Sequence, residues 1–149
     1  METAKVSFEP TTLHDVDDLV KLRILTMKPS LEKIGRFDPV RARERFVATF
    51  QPTNTHYLML DKEQIGFIVF RHEADHLLLD HLYIHPDFQG RGYGAAVLST
   101  LFAEADAIKM AIRVGALRDS DSNRFYITHG FKLIEAAEWD NYYVRDFNR

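Results

Sequence analysis

The 149-residue chain contains no cysteine. That excludes disulfides, thiolate zinc sites and cysteine nucleophiles, and it permits a reducing compartment without requiring one. No run approaches the ~20 apolar residues of a membrane-spanning helix. The opening METAKVSFEP lacks an apolar core of signal-peptide length, so a cytoplasmic protein with no membrane partner is expected. A large excess of charge of either sign is also lacking. The formal net charge is −3, which argues against a nucleic-acid surface and is compatible with a cationic substrate. Material for a core is plentiful: 46% of residues are hydrophobic, with eleven Phe and six Tyr. Repeats, low-complexity segments and linkers are missing, so residues 1–149 are expected to form one α/β domain.

Residues 4–10, AKVSFEP, predict a short strand ended by Pro10. Thr12 with Asp15 forms a plausible capping pair. Helical spacing follows in Leu13, Val16, Leu19, Val20 and Leu22–Leu25, with an expected end near Pro29, and KPSLEKIGRFDP is expected as a loop with room for one helical turn. Asp38-Pro39 starts a second helix that runs to about Phe50, with Arg41, Arg43 and Arg45 on a solvated face. HYLMLD and QIGFIVFR, separated by KE, predict a hairpin, and HLLLDHLYI a third strand ended by Pro86. Beyond Gly94 a helix carries Val97, Leu98, Leu101, Phe102, Ala105 and Ile108 on one side. MAIRVGAL is a strand, SNRFYITHG a short helix closed by Gly130, and FKLIEAA and EWDNYYVRDF the last two strands. The order is β-α-α-β-β-β-α-β-α-β-β.

Glycine is sparse, with seven in all, yet three fall within five positions: Gly90, Gly92 and Gly94, between a strand and a helix. A helix N-terminus leaves backbone N–H groups unpaired and carries positive potential. Glycines let an anion approach those groups without a β-carbon in the way. QGRGYG is therefore a candidate phosphate cradle, with Arg91 adding charge; the plain alternative is a tight strand-to-helix turn. The absence of Lys and Ser/Thr after Gly94 argues against a Walker loop, and the G-x-G-x-G spacing, late in the chain, argues against a dinucleotide fold.

LYIHPDFQGRGYGAAVL resembles the acetyl-CoA signature of the GNAT superfamily of N-acetyltransferases, with the core Q/R-x-x-G-x-G/A at Gln89-Gly90-Arg91-Gly92-Tyr93-Gly94. FYITHGF resembles the family's Y-x-x-x-G-F, at Tyr126, Gly130 and Phe131. The two motifs stand in the family's order, and the element order agrees along almost the whole chain. The resemblance implies the GNAT acyl-CoA N-acyltransferase fold, a mixed sheet of about seven strands with about four helices. It implies acetyl-CoA as co-substrate, no metal, and an amine acceptor that the sequence does not name. A homodimer is compatible with it.

By the same resemblance, the amides of Gly90 through Ala95 hold the CoA pyrophosphate, with Gln89 and Tyr93 part of the motif. The backbone of Leu82, Tyr83 and Ile84 lends an edge to pantetheine, and the next strand splays away to open a cleft. The amine attacks the thioester directly, so a base or a water relay must first take a proton from the ammonium. Tyr126 stands where the family keeps an acid for the departing thiolate; its alternative is a core tyrosine. The base is less defined, because no carboxylate lies between Met110 and Leu117. Asp80 is the first candidate and His81 the second. Strand alternation puts Asp80 with Leu82 and Ile84, and His81 with Tyr83 and His85, unless a bulge intervenes. Where relatives carry a cofactor-contacting Asn, this chain has Asp119; Ser120 or Asn123 could substitute, and Asn123 joins the binding set.

His72, His76, His81 and His85 cluster, but His81 and His85 lie ~13 Å apart along an extended strand, too far to share one ion. Trp139, Tyr142 and Tyr143 are expected as sheet core or edge. Two further readings stay open: a CoA-binding sensor or regulatory module without catalysis, motivated by the missing strand glutamate and Asp119, and a non-enzymatic interaction domain.

Overall fold

Strand β1 (Val6–Pro10) opens the computed structural model, which describes residues 5–33 and 35–147. Ala4 of the expected first strand lies outside the described residues. There follow α1 (Val16–Lys33), α2 (Pro39–Thr49), β2 (Thr55–Leu60), β3 (Glu63–His72), β4 (His76–Ile84), α3 (Tyr93–Ala107), β5 (Ala111–Leu117), α4 (Ser122–Thr128), β6 (Lys132–Ala136) and β7 (Asp140–Arg145). The seven strands form one mixed sheet in the order β1-β2-β3-β4-β5-β7-β6. β4 and β5 run parallel, and β7 is antiparallel to both β5 and β6. This is the fold class that the resemblance implied. No helix among the described residues is long and apolar enough to cross a membrane.

Contacts divide the chain into two compact units. The first comprises the chain up to Val69 together with His81–Ala96. Thr12 caps the first turn as expected: its N–H donates to Asp15 Oδ2 at 2.8 Å, and its Oγ1 accepts from the His14 amide. Asp38 caps α2 through the Arg41 amide, with Pro39 in the first helical position. Arg41, Arg43 and Arg45 are exposed. The core gathers Leu19 and Val20 from α1, Phe46 from α2, Tyr57 from β2, and Phe67 and Val69 from β3. Each such side chain contributes about 1.5–3 kcal/mol when fully buried.

Helix α1 passes through Pro29 instead of ending there. Pro29 lacks the N–H that would bond the Leu25 carbonyl. Both residues are exposed, so the orphaned carbonyl is on the wet side of the helix. The stop comes at Gly35, which has φ +69°, where the Arg36 amide bonds the Leu31 carbonyl at 2.8 Å.

The second unit comprises Phe70–Asp80 and the chain from Val97 onward. Leu77 and Leu79 of β4, Val97, Leu98, Leu101 and Ala105 of α3, and Ile112, Val114 and Ala116 of β5 are among its buried aliphatics. The β4–β5 register runs from His76↔Ala111 to Leu79↔Val114. Ile108 does not join the apolar stripe of α3. It lies past the helix end and is 48% exposed, because Lys109 turns left-handed (φ +56°) and the Met110 amide folds back onto the Ala105 carbonyl. Tyr143 is buried, whereas Tyr142 and Trp139 are exposed at the surface of their strand and turn.

Candidate active site

In the first unit, β4 runs into a short turn at Pro86–Phe88 and then into the glycine stretch that opens α3. His85 Nδ1 accepts from the Asp87 amide at 3.1 Å, and the Phe88 amide bonds the His85 carbonyl at 2.8 Å. Gly90 and Gly92 adopt φ +75° and +84°, a region in which a side chain is strained. A β-carbon at either position would meet nothing within 4 Å. Backbone conformation, not crowding, therefore demands glycine there. The first helical hydrogen bond runs from the Ala96 amide to the Gly92 carbonyl at 3.1 Å. Among the described residues, no hydrogen bond occupies the amides of Gly90, Arg91, Gly92, Tyr93, Gly94 or Ala95. This is a row of donors at a helix N-terminus, the arrangement that binds phosphate. Arg91 is exposed and its guanidinium lies 5.6 Å from the centre of the Phe88 ring, which also neighbours Tyr93.

Gln89 is built into the same turn. Its Nε2 donates to the Ile84 carbonyl at 2.9 Å, so its amide braces the end of β4. The Tyr83 carbonyl is turned toward Gly66 of β3. In the backbone of Leu82, Tyr83 and Ile84, the Tyr83 carbonyl thus faces β3 and the Ile84 carbonyl accepts from Gln89. The His81 and Tyr83 side chains share one face, as alternation predicts, with Nδ1 and Oη 2.9 Å apart. The His81 ring also neighbours Phe46 and Phe67.

Asp80 belongs to the second unit, where its Oδ2 pairs with Arg71 Nη2 at 3.2 Å. The two stand nine positions apart in sequence, Arg71 on β3 and Asp80 on β4, which are neighbouring strands of the sheet. Tyr126 is buried at 5% exposure, with Phe125, Phe131 and Tyr143 around its ring. The Y-x-x-x-G-F motif is a helix cap. Gly130 takes φ +92°, its amide bonds the Ile127 carbonyl, and the Phe131 amide reaches back to the Tyr126 carbonyl at 3.0 Å. The Tyr126 and Phe131 rings, 5.3 Å apart, supply the apolar contact of that cap.

Asn123 is engaged at both ends of its amide. Nδ2 donates to the Leu117 carbonyl (2.8 Å) and the Ser120 carbonyl (2.9 Å), while Oδ1 accepts from Tyr143 Oη (2.7 Å) and Asn141 Nδ2 (3.0 Å). It ties the end of β5 to α4 and β7. Asp119 holds a left-handed turn at φ +68°. Of the clustered histidines, His76 Nδ1 lies 2.7 Å from Asp75 Oδ1, while His85 Nδ1 accepts from the Asp87 amide. The hydrogen bond and charge of His76 hold the Asp75 carboxyl below its ordinary range.

Residues 52–133 match the family model of the acetyltransferase (GNAT) domain. N-acetyltransferases of Staphylococcus aureus strains COL and N315 are each 33% identical to this chain over 86 residues, covering 58% of this chain and 55% of theirs. The match thus reaches about half the length of these relatives. An acetyltransferase structure from Thermus thermophilus superposes with a TM-score of 0.75 at 21% identity, covering 99% of this chain and 100% of that one. The PaiA N-acetyltransferase of Thermoplasma acidophilum, in complex with coenzyme A, gives 0.76 at 16% identity over 96% and 99%. At these identities the structural likeness is one of fold. The matched domain takes in the glycine turn, Asn123 and Tyr126 and covers more than half of the chain: this protein belongs to the GNAT acetyltransferase family.

Proposed function

We propose that the protein is an acetyl-CoA-dependent N-acetyltransferase, one GNAT domain that acetylates a primary amine by direct attack within a ternary complex. The observation that carries this reading is the row of six unengaged amides from Gly90 to Ala95, set by two left-handed glycines at the mouth of α3. A diphosphate fits such a row, and Arg91 adds a positive charge. Leu82 offers the carbonyl of β4 that the pantetheine arm would use. The co-substrate supplies the acetyl group: the amine lone pair forms the C–N bond as the C–S bond breaks.

Of the two candidate bases we favour His81. Asp80 has a cation against its carboxylate, whereas His81 sits beside a phenol and two apolar rings. The imidazole takes one proton from the acceptor's ammonium, which otherwise has no lone pair to attack with. Tyr126 takes the role its motif implies, giving its hydroxyl proton to the leaving sulfur, and its phenolate is reprotonated by the second proton that the nitrogen sheds as it becomes an amide. Asn123 serves the scaffold instead of the co-substrate, because its amide already has four protein partners.

The test is titration calorimetry with CoA, followed by thiol release from acetyl-CoA across a panel of primary amines. Wild-type protein should bind CoA and release thiol with at least one amine. Gly92→Glu should abolish binding by placing a carboxylate among the amides, and Tyr126→Phe should lower turnover with binding intact. A folded Gly92→Glu variant that binds CoA as tightly as wild type overturns the cradle. The engagement of Asp80 by Arg71 favours one rival, a CoA-binding regulatory module. Saturable CoA binding with no thiol release from any amine would establish that rival.

A further inference from the structure

We infer that Tyr143 is a positioning residue: by donating its hydroxyl hydrogen to Asn123 it fixes the short helix that carries Tyr126, and with it the Tyr126 phenol. The inference rests on the reading of Tyr126 as the acid and goes beyond it by naming the residue that sets that acid in place. Helix α4 is seven residues long and has no side-chain cap bond at Asp121. Helices shorter than ~12 residues are marginal on their own, so tertiary contacts decide where α4 sits. Asn123 and Tyr126 stand three apart on it, which puts them on one face. Asn123 Nδ2 donates to the Leu117 and Ser120 carbonyls, so Oδ1 is its acceptor end. Tyr143 Oη lies 2.7 Å from that oxygen. An amide oxygen has no hydrogen to give, so the phenol is the donor.

Tyr143 reaches Tyr126 as well. It is 2% exposed, and the two ring centres are 6.4 Å apart. Phe125 and Phe131 also pack on the Tyr126 ring, but they belong to α4 and the turn that closes it and travel with the helix. Tyr143 comes from β7, where it pairs with Val114 of β5 and Leu133 of β6. One side chain of a strand paired on both edges thus touches α4 at two points a turn apart. Asn141, two residues back on β7, donates to the same Oδ1 at 3.0 Å. That bond survives in Tyr143→Phe, so the variant should fold with α4 less tightly placed.

The experiment joins thiol-release kinetics, with acetyl-CoA and the fastest amine of the panel, to NMR of the full chain with 13C-labelled tyrosine rings. Tyr126→Phe and Tyr143→Phe assign the two rings. Tyr143→Phe should lower kcat about tenfold, less than the roughly hundredfold that a misplacement of about 1 Å can cost. KM for acetyl-CoA should be unchanged, and the Tyr126 ring signals should move. In a Tyr126→Phe background the same change should cost nothing further, because its effect passes through the phenol. A merely structural role would lower kcat by the same factor in both backgrounds, and that result overturns the inference. So does an unchanged kcat, or a Tyr126 ring whose signals stay put. In the wild type, a Tyr143 hydroxyl hydrogen protected from exchange supports the bond and a freely exchanging one overturns it, which decides the matter even if Tyr143→Phe folds poorly. If no amine is acetylated at all, the failure belongs to the transferase reading, and the spectra still decide whether Tyr143 places the phenol.

Discussion

The carbonyl oxygen of Tyr83 occupies the space that a β-carbon on Gly66 would need, with the Tyr83 carbonyl carbon and the Ile84 Cα only 3.0 and 3.1 Å from that point. The obstacle is backbone, so no rotamer change can relieve it. Gly66→Ala should push β4 away from β3 and destabilise the fold by about 1–3 kcal/mol, as overpacking does. For a chain of this size that is roughly 4–8 °C in Tm for the middle of that range. Thermal denaturation checks it, and an unchanged Tm would show that the strands do not approach so closely.

Gly92 presents the opposite case. Nothing crowds a β-carbon there, but φ is +84°. Gly92→Ala should therefore cost about 1–2 kcal/mol, the strain of a left-handed residue, and relief of that strain would rotate the neighbouring amides. A folded protein with CoA affinity reduced about tenfold, equivalent to about 1.4 kcal/mol, is the expected result. Calorimetry with CoA reads it directly; full affinity would mean that the amide geometry is not what binds.

Asn123→Ala should be far more damaging to stability than to CoA affinity. It removes two donors from the Leu117 and Ser120 carbonyls and leaves Tyr143 Oη and Asn141 Nδ2 without their acceptor. A loss of about 2–3 kcal/mol is expected from stranded polar groups. Denaturant unfolding measures it, and combining the change with Tyr143→Phe should cost less than the sum of the two. A stable Asn123→Ala protein that has lost CoA binding would return Asn123 to the cofactor site.

Tyr57 makes stability fall at high pH. It is 3% exposed and donates to Asp15 Oδ1 at 3.3 Å. Burial, then the charges of Asp15, Asp18 and Glu9, raise its phenol well above the ordinary value. In the unfolded chain tyrosine ionises near ~10. Below that pH both states hold the proton and the contribution is complete. Above it the unfolded state loses the proton and the folded state keeps it, so stability declines by up to about 1.4 kcal/mol per pH unit. Tyr57→Phe should flatten this part of the alkaline decline, and phenolate absorbance should show one tyrosine ionising only as the protein unfolds. A parallel decline in wild type and variant would assign the effect elsewhere.

Local signals were legible where the physics is local. Asp38-Pro39 starts α2 because one carboxylate caps the Arg41 amide and proline needs no donor there. Gly130 ends α4 because the Tyr126–Phe131 return needs a left-handed residue between them. Pro29 misled because a single proline costs one hydrogen bond, and the exposed side of α1 can give that bond to water. The lone glycine inside QIGFIVFR is a recognisable sign of close backbone approach, yet nothing in the sequence says which strand approaches.

The amino-acid order alone determined the succession of elements, the caps that bound them and the glycine turn at the mouth of α3, since each depends on dihedral preferences and hydrogen bonds within a few residues. Tertiary structure decided the partners. Arg71 reached Asp80, Asn123 was drawn into β5, α4 and β7, and Tyr83 turned its carbonyl on Gly66 and its phenol on His81. Which groups meet across strands depends on register and on how closely the backbones pack. Those are set by the burial of the whole core, not by any one stretch of sequence.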